Sequence, residues 1–523
     1  MSEHTTRAPT PAPARIESYL CGRWVSGEGA GAPLHNPTTG EVVATASSAG
    51  LDLGAALAFA RERGGPALRA LTFAERGALL KAMSQAIHAE REALIELGRL
   101  NAGNTRGDAK FDIDGATHTL MHYAQLGESL GERRVLLDGE PEPVARGGRL
   151  SGQHILAPRH GVAVHINAFN FPAWGLAEKA ACALLAGVPV LSKPATSTAW
   201  MTHALVRAVA PLLPEGALSL LCGGVGDLLS HLDWRDVVAF TGSADTGRVI
   251  RAHANVLAQG VQVNIEADSL NAALLDEAAE DATYDAFIRD VHREMTQKAG
   301  QKCTAARRVL VPRARLDEVV ADLSERLGRS VVGDPALDEV TVGPLSAPSQ
   351  RAAALEGLAA LSADARVVFG GPEGPRVGVP DGVGAFINPT VLCAAGPLPA
   401  TSAVHRVEVF GPVVTLIPYD SDEEAIAQAR MGDGCLVTAI YGDRLELLEA
   451  AVLGLAAWSG RLVVVDAQVA DKSLSPGLVT PQLLHGGPGR AGGGEELGGL
   501  RGLKLYQQRC AVQGNGPKLA RLF

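Results

Sequence analysis

Short, nearly continuous apolar runs recur between residues 160 and 266: GVAVHIN, VPVLSK, ALSLLC, DVVAFTG and VQVNIE. Runs of this length without polar alternation suit strands buried on both faces. Between them lie WGLAEKAACALLAG, STAWMTHALVRAVAPLL, GDLLSHL and SADTGRVIRAHANVL, whose apolar residues recur at three-and-four spacing and predict helices. Five strands with helices between them predict a parallel, doubly wound sheet of the α/β class, Rossmann-like in its order of elements. Upstream, residues 50–130 read as mainly helical, and AERGALLKAMSQAIHAEREALIEL has charges set between apolar residues at helical spacing. After residue 267 the alternation restarts through FIRDVHREMTQKAG, RRVLVP, LDEVVADLSERLG, ARVVFGG and PVVTLIPY, which predicts a second α/β domain. LKLYQQRCAVQG alternates like an edge strand and is expected to find its partner across a subunit interface. RRVLLDGEPEPVARGGRLSGQHILAP (133–158) is expected to be a hairpin reaching the same interface.

Composition narrows the class. The 523 residues suffice for two or three domains, and 46% hydrophobic with 20% charged residues is ordinary for a soluble protein. A net charge of −10 argues against nucleic acid or an anionic membrane as partner. The cysteines (21, 182, 222, 303, 393, 435 and 510) are odd in number and include no C-x-x-C pair. That pattern fits reduced thiols in a cytoplasm and no structural metal. His118 and His122 stand at i, i+4 spacing without a third ligand. MSEHTTRAPTPAPAR lacks the apolar stretch of a signal peptide and reads as a disordered arm over residues 1–15. AACALLAGVPVL is too short to span a bilayer.

Several strand ends carry candidate chemistry. The G-x-G-x-x-G string at Gly487, Gly489 and Gly492 contains a proline and follows no predicted strand, so it is no dinucleotide fingerprint. AFTGSADTGRVI is better: Thr241, Gly242 and Ser243 turn from a strand into a helix, whose N–H groups suit a pyrophosphate. An ordinary turn with Ser243 as helix cap fits that stretch equally. Asn170 follows a strand end, where its amide can serve an oxyanion or simply a turn before Pro172. Lys193 ends the next strand, aimed at a ligand's ribose and phosphate oxygens or at water. Glu266 ends a buried strand, where desolvation is expected to raise its pKa and suit a general base. Cys303, between Gly300 and Thr304, is a candidate nucleophile if amides or cations lower its pKa, and a buried filler otherwise.

Taken in order, NFP (170–172), KPA (193–195), FTGSADTG (240–247), Glu266, GQKC (300–303), VGDP (332–335), NPTV (388–391) and EVFGPVV (408–414) resemble an aldehyde dehydrogenase over nearly the whole chain. The resemblance implies a cofactor domain over 1–132 and 159–267, a catalytic domain over 268–484, oligomerisation strands at 133–158 and 500–523, and a homodimer or dimer of dimers. It also implies Cys303 as nucleophile, Glu266 as base and Asn170 with the Cys303 N–H as oxyanion hole. Ile166, Phe169, Lys193, Ala195, Thr196, Gly226, Thr241, Gly242, Ser243, Glu408 and Phe410 would bind the nicotinamide cofactor. Members that transfer the acyl group to free coenzyme A generally lack the base, so release as a free acid is expected here.

Departures from the family pattern sharpen these expectations. Ala267-Asp268-Ser269-Leu270 replaces the usual Leu-Gly-Gly-Lys after the base, and the stretch to Cys303 is somewhat long. Thr196 stands where many NAD-preferring members carry an acid that repels a 2′-phosphate, so NADP is expected. HINAFNFPAWG, EADSLN, EMTQKAGQKCTA and the C-terminal segment resemble one branch, the semialdehyde dehydrogenases of coenzyme-A-dependent aromatic degradation. The substrate implied is 3,4-dehydroadipyl-CoA semialdehyde, a CoA-linked aldehyde of aerobic benzoate degradation, with coenzyme A as a distal handle. The chain ends soon after this region, so a stand-alone enzyme without a hydratase domain is expected. The glycine-dense HGGPGRAGGGEELGG (485–499) then lines the entrance for the handle or is a flexible linker. Another aliphatic or aromatic aldehyde is the alternative substrate. A non-catalytic nucleotide-binding relative is opposed by the presence of both Cys303 and Glu266.

Overall fold

The structure, a computed structural model, describes residues 13–146 and 149–522. Residues 1–12 of the expected arm lie outside the described residues. Its last part is not an arm: Ala14–Ile16 is a strand paired in parallel with Val42–Ala46.

The first large sheet has strands β1 (Ser18–Leu20), β2 (Arg23–Val25), β3 (Ala163–Ile166), β4 (Val190–Lys193), β5 (Leu218–Leu220), β6 (Val237–Thr241) and β7 (Gln262–Glu266), in the order β7-β6-β3-β4-β5-β1-β2. Its five predicted strands are parallel, and β1 and β2 extend it antiparallel. The apolar runs are continuous because both faces are covered. Ala163, Val190 and Val237 pack into one core, while Val164, Leu191 and Val238 pack into another. Successive side chains point to opposite faces, so both registers must be apolar.

The second sheet also has seven strands: β8 (Ala272–Leu275), β9 (Arg308–Pro312), β10 (Arg366–Gly370), β11 (Thr390–Cys393), β12 (Val413–Tyr419), β13 (Cys435–Tyr441) and β14 (Ser459–Val465), in the order β10-β11-β12-β9-β8-β13-β14. Four helices matter below: α1 (Arg106–Leu130), α2 (Trp174–Ala186), α3 (Ala244–Arg251) and α4 (Asp281–Thr296).

Helix expectations change in three places, one of them SADTGRVIRAHANVL, which divides into Ala244–Arg251 and Ala254–Gln259. AERGALLKAMSQAIHAEREALIEL is two helices, Phe73–Ala89 and Arg91–Ala102, divided at Glu90. GDLLSHL forms only the 3₁₀ turn Leu228–His231, since so short a segment gains few i to i−4 bonds. Strand Gln507–Asn515 finds its partner within the chain, pairing antiparallel with Leu150–Pro158 along its whole length. The segment 133–158 folds onto the same sheet through Leu136–Leu137 and Glu142–Pro143. Gln507–Asn515 keeps an unpaired outer edge among the described residues.

The glycine-dense segment is no flexible linker. Leu484–Gly486 and Glu495–Leu497 form an antiparallel ribbon, the first strand beside β14 and the second beside β7. Gly494 N donates to Ile265 O at 3.0 Å and Ala267 N to Ala491 O at 2.9 Å. A Cβ on Gly494 would fall 2.3 Å from Ile265 O, so this close backbone approach requires glycine. No helix among the described residues is long and apolar enough to cross a membrane.

Candidate active site

The carboxyl ends of β3, β4, β6 and β7 open into a groove of about 520 Å³, where ligands of open α/β sheets bind. Ile166, Phe169, Lys193, Ala195, Thr241, Gly242, Ser243, Glu408 and Phe410 line it, as do Asn170, Glu266 and Cys303 at one end. Two expected residues do not. Thr196 turns its hydroxyl inward, donating to Gly223 O at 3.1 Å. Gly226 lines a separate recess beside Leu51 and Leu53. Beyond Cys303 lies a second space of about 30 Å³, lined by Phe171, Trp174, Glu178, Val479 and His485. Asn170, Thr241, Glu266 and Cys303 border both spaces.

Helix α1 holds the two loops that frame Cys303. Asp112 accepts from Trp174 N at 2.8 Å and Ala173 N at 3.3 Å, capping α2 after Asn170-Phe171-Pro172. Asp108 accepts from Lys298 N at 2.8 Å, one turn of chain after α4. There Lys298, Ala299 and Gly300 are all left-handed, with φ of 55°, 50° and 70°. The turn brings Gly300 against the backbone of Gly411, and a Cβ on Gly300 would lie 2.3 Å from Gly411 O. Gly300→Ala is therefore expected to cost about 2 kcal/mol or more, from clash and backbone strain together. Thermal unfolding would show the lowered Tm, and an unchanged Tm would mean that the loop relaxes freely.

Beyond the turn, Asn271 Nδ2 donates to Cys303 O at 2.7 Å and Ala305 O at 2.9 Å. Thr304 is tied to Gly477 O at 3.0 Å. The two arginines behind the cysteine are structural clamps. Arg307 reaches Glu408 at 3.4 Å and Gly411 O at 3.0 Å, and Arg308 is spent on Leu270, Gln428 and Ala429 carbonyls. Asn170 Nδ2 donates one hydrogen to Gln301 O at 3.1 Å, which leaves its second hydrogen for a ligand.

Charge in the site differs from expectation. Glu266 is 1% exposed, with Oε2 accepting from Thr241 Oγ1 at 3.3 Å. Its Oε1 lies 3.0 Å from His485 Nε2, without the alignment of a hydrogen bond. Burial alone would raise this carboxyl, as expected, but the charges of His485 and Lys179 outweigh it and hold the pKa below the usual carboxylate range. His485 is raised in return, the Glu266 charge overcoming its own desolvation. Cys303 is half-buried, and burial followed by the Glu266 charge pushes its thiol well up rather than down. Glu408 is pushed up to about 7 by burial, against the pull of Arg307.

The expected anion-binding turn is also partly occupied. Ser243 caps Thr246 N, and Asp268 accepts from Ala244 N at 2.8 Å, a carboxylate drawn to the positive end of α3.

His485 is the site residue that sequence reasoning passed over. It sits among glycines that suggested a loop; its burial beside Glu266 depends on those glycines. The thiol of Cys303, a Glu266 oxygen and a ring nitrogen of His485 lie within 4.8 Å of one another. Behind them, Lys179 pairs with Glu496 at 2.9 Å and Glu178 at 3.1 Å.

A nucleophile type, a carboxylate and an amide donor thus meet where a long groove ends. Comparison with known proteins identifies the family. The model of the aldehyde dehydrogenase family matches residues 24–498. A 3,4-dehydroadipyl-CoA semialdehyde dehydrogenase from Aromatoleum evansii is 48% identical over 480 residues, 91% of this chain and 93% of that protein. The NADP(+) succinate-semialdehyde dehydrogenase of Escherichia coli is 28% identical over 456 residues, covering 84% and 89%. Among solved structures, an aldehyde dehydrogenase from Burkholderia cenocepacia superposes with a TM-score of 0.82 at 25% identity, over 96% of this chain and 97% of that one.

Proposed function

Because the chain belongs to the aldehyde dehydrogenase family, we propose that it oxidises a CoA-linked semialdehyde, 3,4-dehydroadipyl-CoA semialdehyde, to the free acid with NADP. The observation that carries this reading is the meeting of Cys303, Glu266 and Asn170 at the border of the groove and the inner space. The inner space, narrow and walled by Phe171, Trp174 and Val479, suits the slender end of a straight-chain semialdehyde better than an aromatic aldehyde. The likeness to the Aromatoleum evansii enzyme supports the CoA handle and a place in aerobic benzoate degradation.

In this mechanism Cys303 adds to the aldehyde carbon. The free hydrogen of the Asn170 amide and the Cys303 N–H steady the oxygen of the hemithioacetal. The groove fits a dinucleotide by its volume and its lining, and Lys193, Ser243, Glu408 and Phe410 on its wall would hold the cofactor. A bound nicotinamide would supply the hydride acceptor. Cys303 then carries a thioester, and Glu266 draws a proton from water that attacks it. The acid leaves and the thiol is restored.

NADP preference rests on Thr196, since no carboxylate stands three positions after Lys193 to repel a 2′-phosphate. The Thr196 hydroxyl is committed to Gly223, so it acts by lacking charge and not as a donor. Assembly as a homodimer or dimer of dimers is supported by the free outer edge of Gln507–Asn515. A cytoplasmic setting is supported by seven cysteines that are all free.

The experiment is initial-rate nicotinamide reduction with 3,4-dehydroadipyl-CoA semialdehyde, using NADP, NAD, and the same aldehyde without coenzyme A. We expect about tenfold or more preference for NADP, and a comparable loss without the handle. Equal rates for the handle-free aldehyde would sink the substrate assignment, and a preference for NAD the cofactor assignment.

A further inference from the structure

We propose that the imidazolium of His485 is the positive charge that lets the Cys303 thiolate form beside an ionised Glu266. The proposal rests on the reading of Cys303 as nucleophile. The Nε2 atom lies 3.9 Å from Cys303 Sγ and 3.0 Å from Glu266 Oε1, so one ring stands between two potential anions. His485 is 5% exposed, and water therefore screens these charges poorly.

The thiol needs such a partner. A buried thiolate next to a carboxylate would place two uncompensated negative charges together. Four other cations around the site are engaged elsewhere. Lys179 is held by Glu178 and Glu496, Lys302 by Glu294 at 3.0 Å, and Arg307 by Glu408. Arg461 donates to Leu478 O at 2.7 Å and Pro476 O at 2.5 Å. The groups facing His485 are Glu266 on β7, Cys303 after α4, Glu178 and Lys179 on α2, and Glu496 on the ribbon. The carboxylates among them favour the protonated ring.

Ionisation is balanced simply. The S–H bond breaks, its proton leaves to solvent, and the sulfur keeps the electron pair beside the imidazolium. Glu266 is not consumed as acceptor and remains a carboxylate for the later water step.

The test is the pH profile of Cys303 alkylation by iodoacetamide, followed by peptide mass, with free glutathione in the same reaction as reference. Wild type, His485→Gln, Glu266→Gln and the double variant are compared, each checked for folding by thermal melting and cofactor binding. His485→Asn carries the same test if glutamine does not pack. Removing His485 is expected to slow Cys303 alkylation at pH 7 by at least about tenfold, one pKa unit's worth, with Glu266 present, and by less in Glu266→Gln, where the ring loses the carboxylate that favours its protonated form. The rates should converge at high pH. A profile unmoved by His485→Gln overturns the proposal. So does faster Cys303 alkylation at pH 7 in His485→Gln, since the ring would then hinder the thiolate instead of stabilising it. Neither result depends on turnover, so Cys303→Ala activity judges the nucleophile separately.

Discussion

Cys303→Ala is expected to lower aldehyde-dependent nicotinamide reduction by about 10⁴-fold or more, because covalent catalysis has no substitute once the sulfur is gone. Cofactor affinity should stay within about twofold, since a single side-chain truncation at the groove's end leaves most contacts in place. Of the seven cysteines, Cys182, Cys222, Cys393 and Cys435 are buried in cores or under strands. Cys510 is exposed on the edge strand and Cys21 lies in an early turn. Cys303 alone borders both the groove and the inner space. The backbone is also fixed around it: Asp108, Asn271, Gly411 and Gly477 each hold a neighbouring residue or its own carbonyl. Retained turnover in Cys303→Ala, with the variant's melting temperature and cofactor binding intact, would remove the nucleophile assigned here. Loss of both turnover and cofactor binding would mean that the substitution had disturbed the loop, and Cys303→Ser would then be the cleaner comparison.

The sheets were legible because period and burial coincide. Strands β3 to β7 are covered on both faces, so each appears as an unbroken apolar run, and each such run is a parallel strand. Strands β1 and β2 were not foreseen, being three residues long and antiparallel at the edge of that sheet. The positions of Asn170, Glu266 and Cys303 were readable because each follows the end of a predicted strand or helix. Their electrostatics were not. Burial of Glu266 was readable, but the sign of its shift depends on His485 and Lys179, which are distant in sequence. Asp108 and Asp112 were missed for a similar reason. They are polar residues on a buried helix face, and their backbone partners are 61 to 190 positions away. Thr196 shows the limit from the other side: it stands three positions after Lys193, but its hydroxyl turns toward Gly223 and away from the groove.

Glu266→Gln is expected to separate the two halves of the reaction. Acylation and one hydride transfer should proceed, giving a burst of about one reduced nicotinamide per site, as covalent intermediates do when their breakdown is slowed. The steady rate should then fall by about 10²- to 10⁴-fold, the usual range for a lost general base. The pH dependence gives a second check. A carboxyl held below its ordinary pKa stays in its base form as pH falls, and it loses that form only below its own lowered value. Hydrolysis of the preformed acyl-enzyme should therefore hold its rate from neutral pH down through the ordinary glutamate range. Had burial alone governed Glu266, the base would be lost on passing from neutral to mildly acidic pH. Glu408, pushed up to about 7, titrates in that window. Any acid limb near neutrality should thus appear in cofactor-dependent acylation and be absent from acyl-enzyme hydrolysis. A hydrolysis rate that falls in step with acylation near pH 7 would mean that His485 does not hold Glu266 ionised. A Glu266→Gln variant that turns over without a burst would mean that another group activates the water.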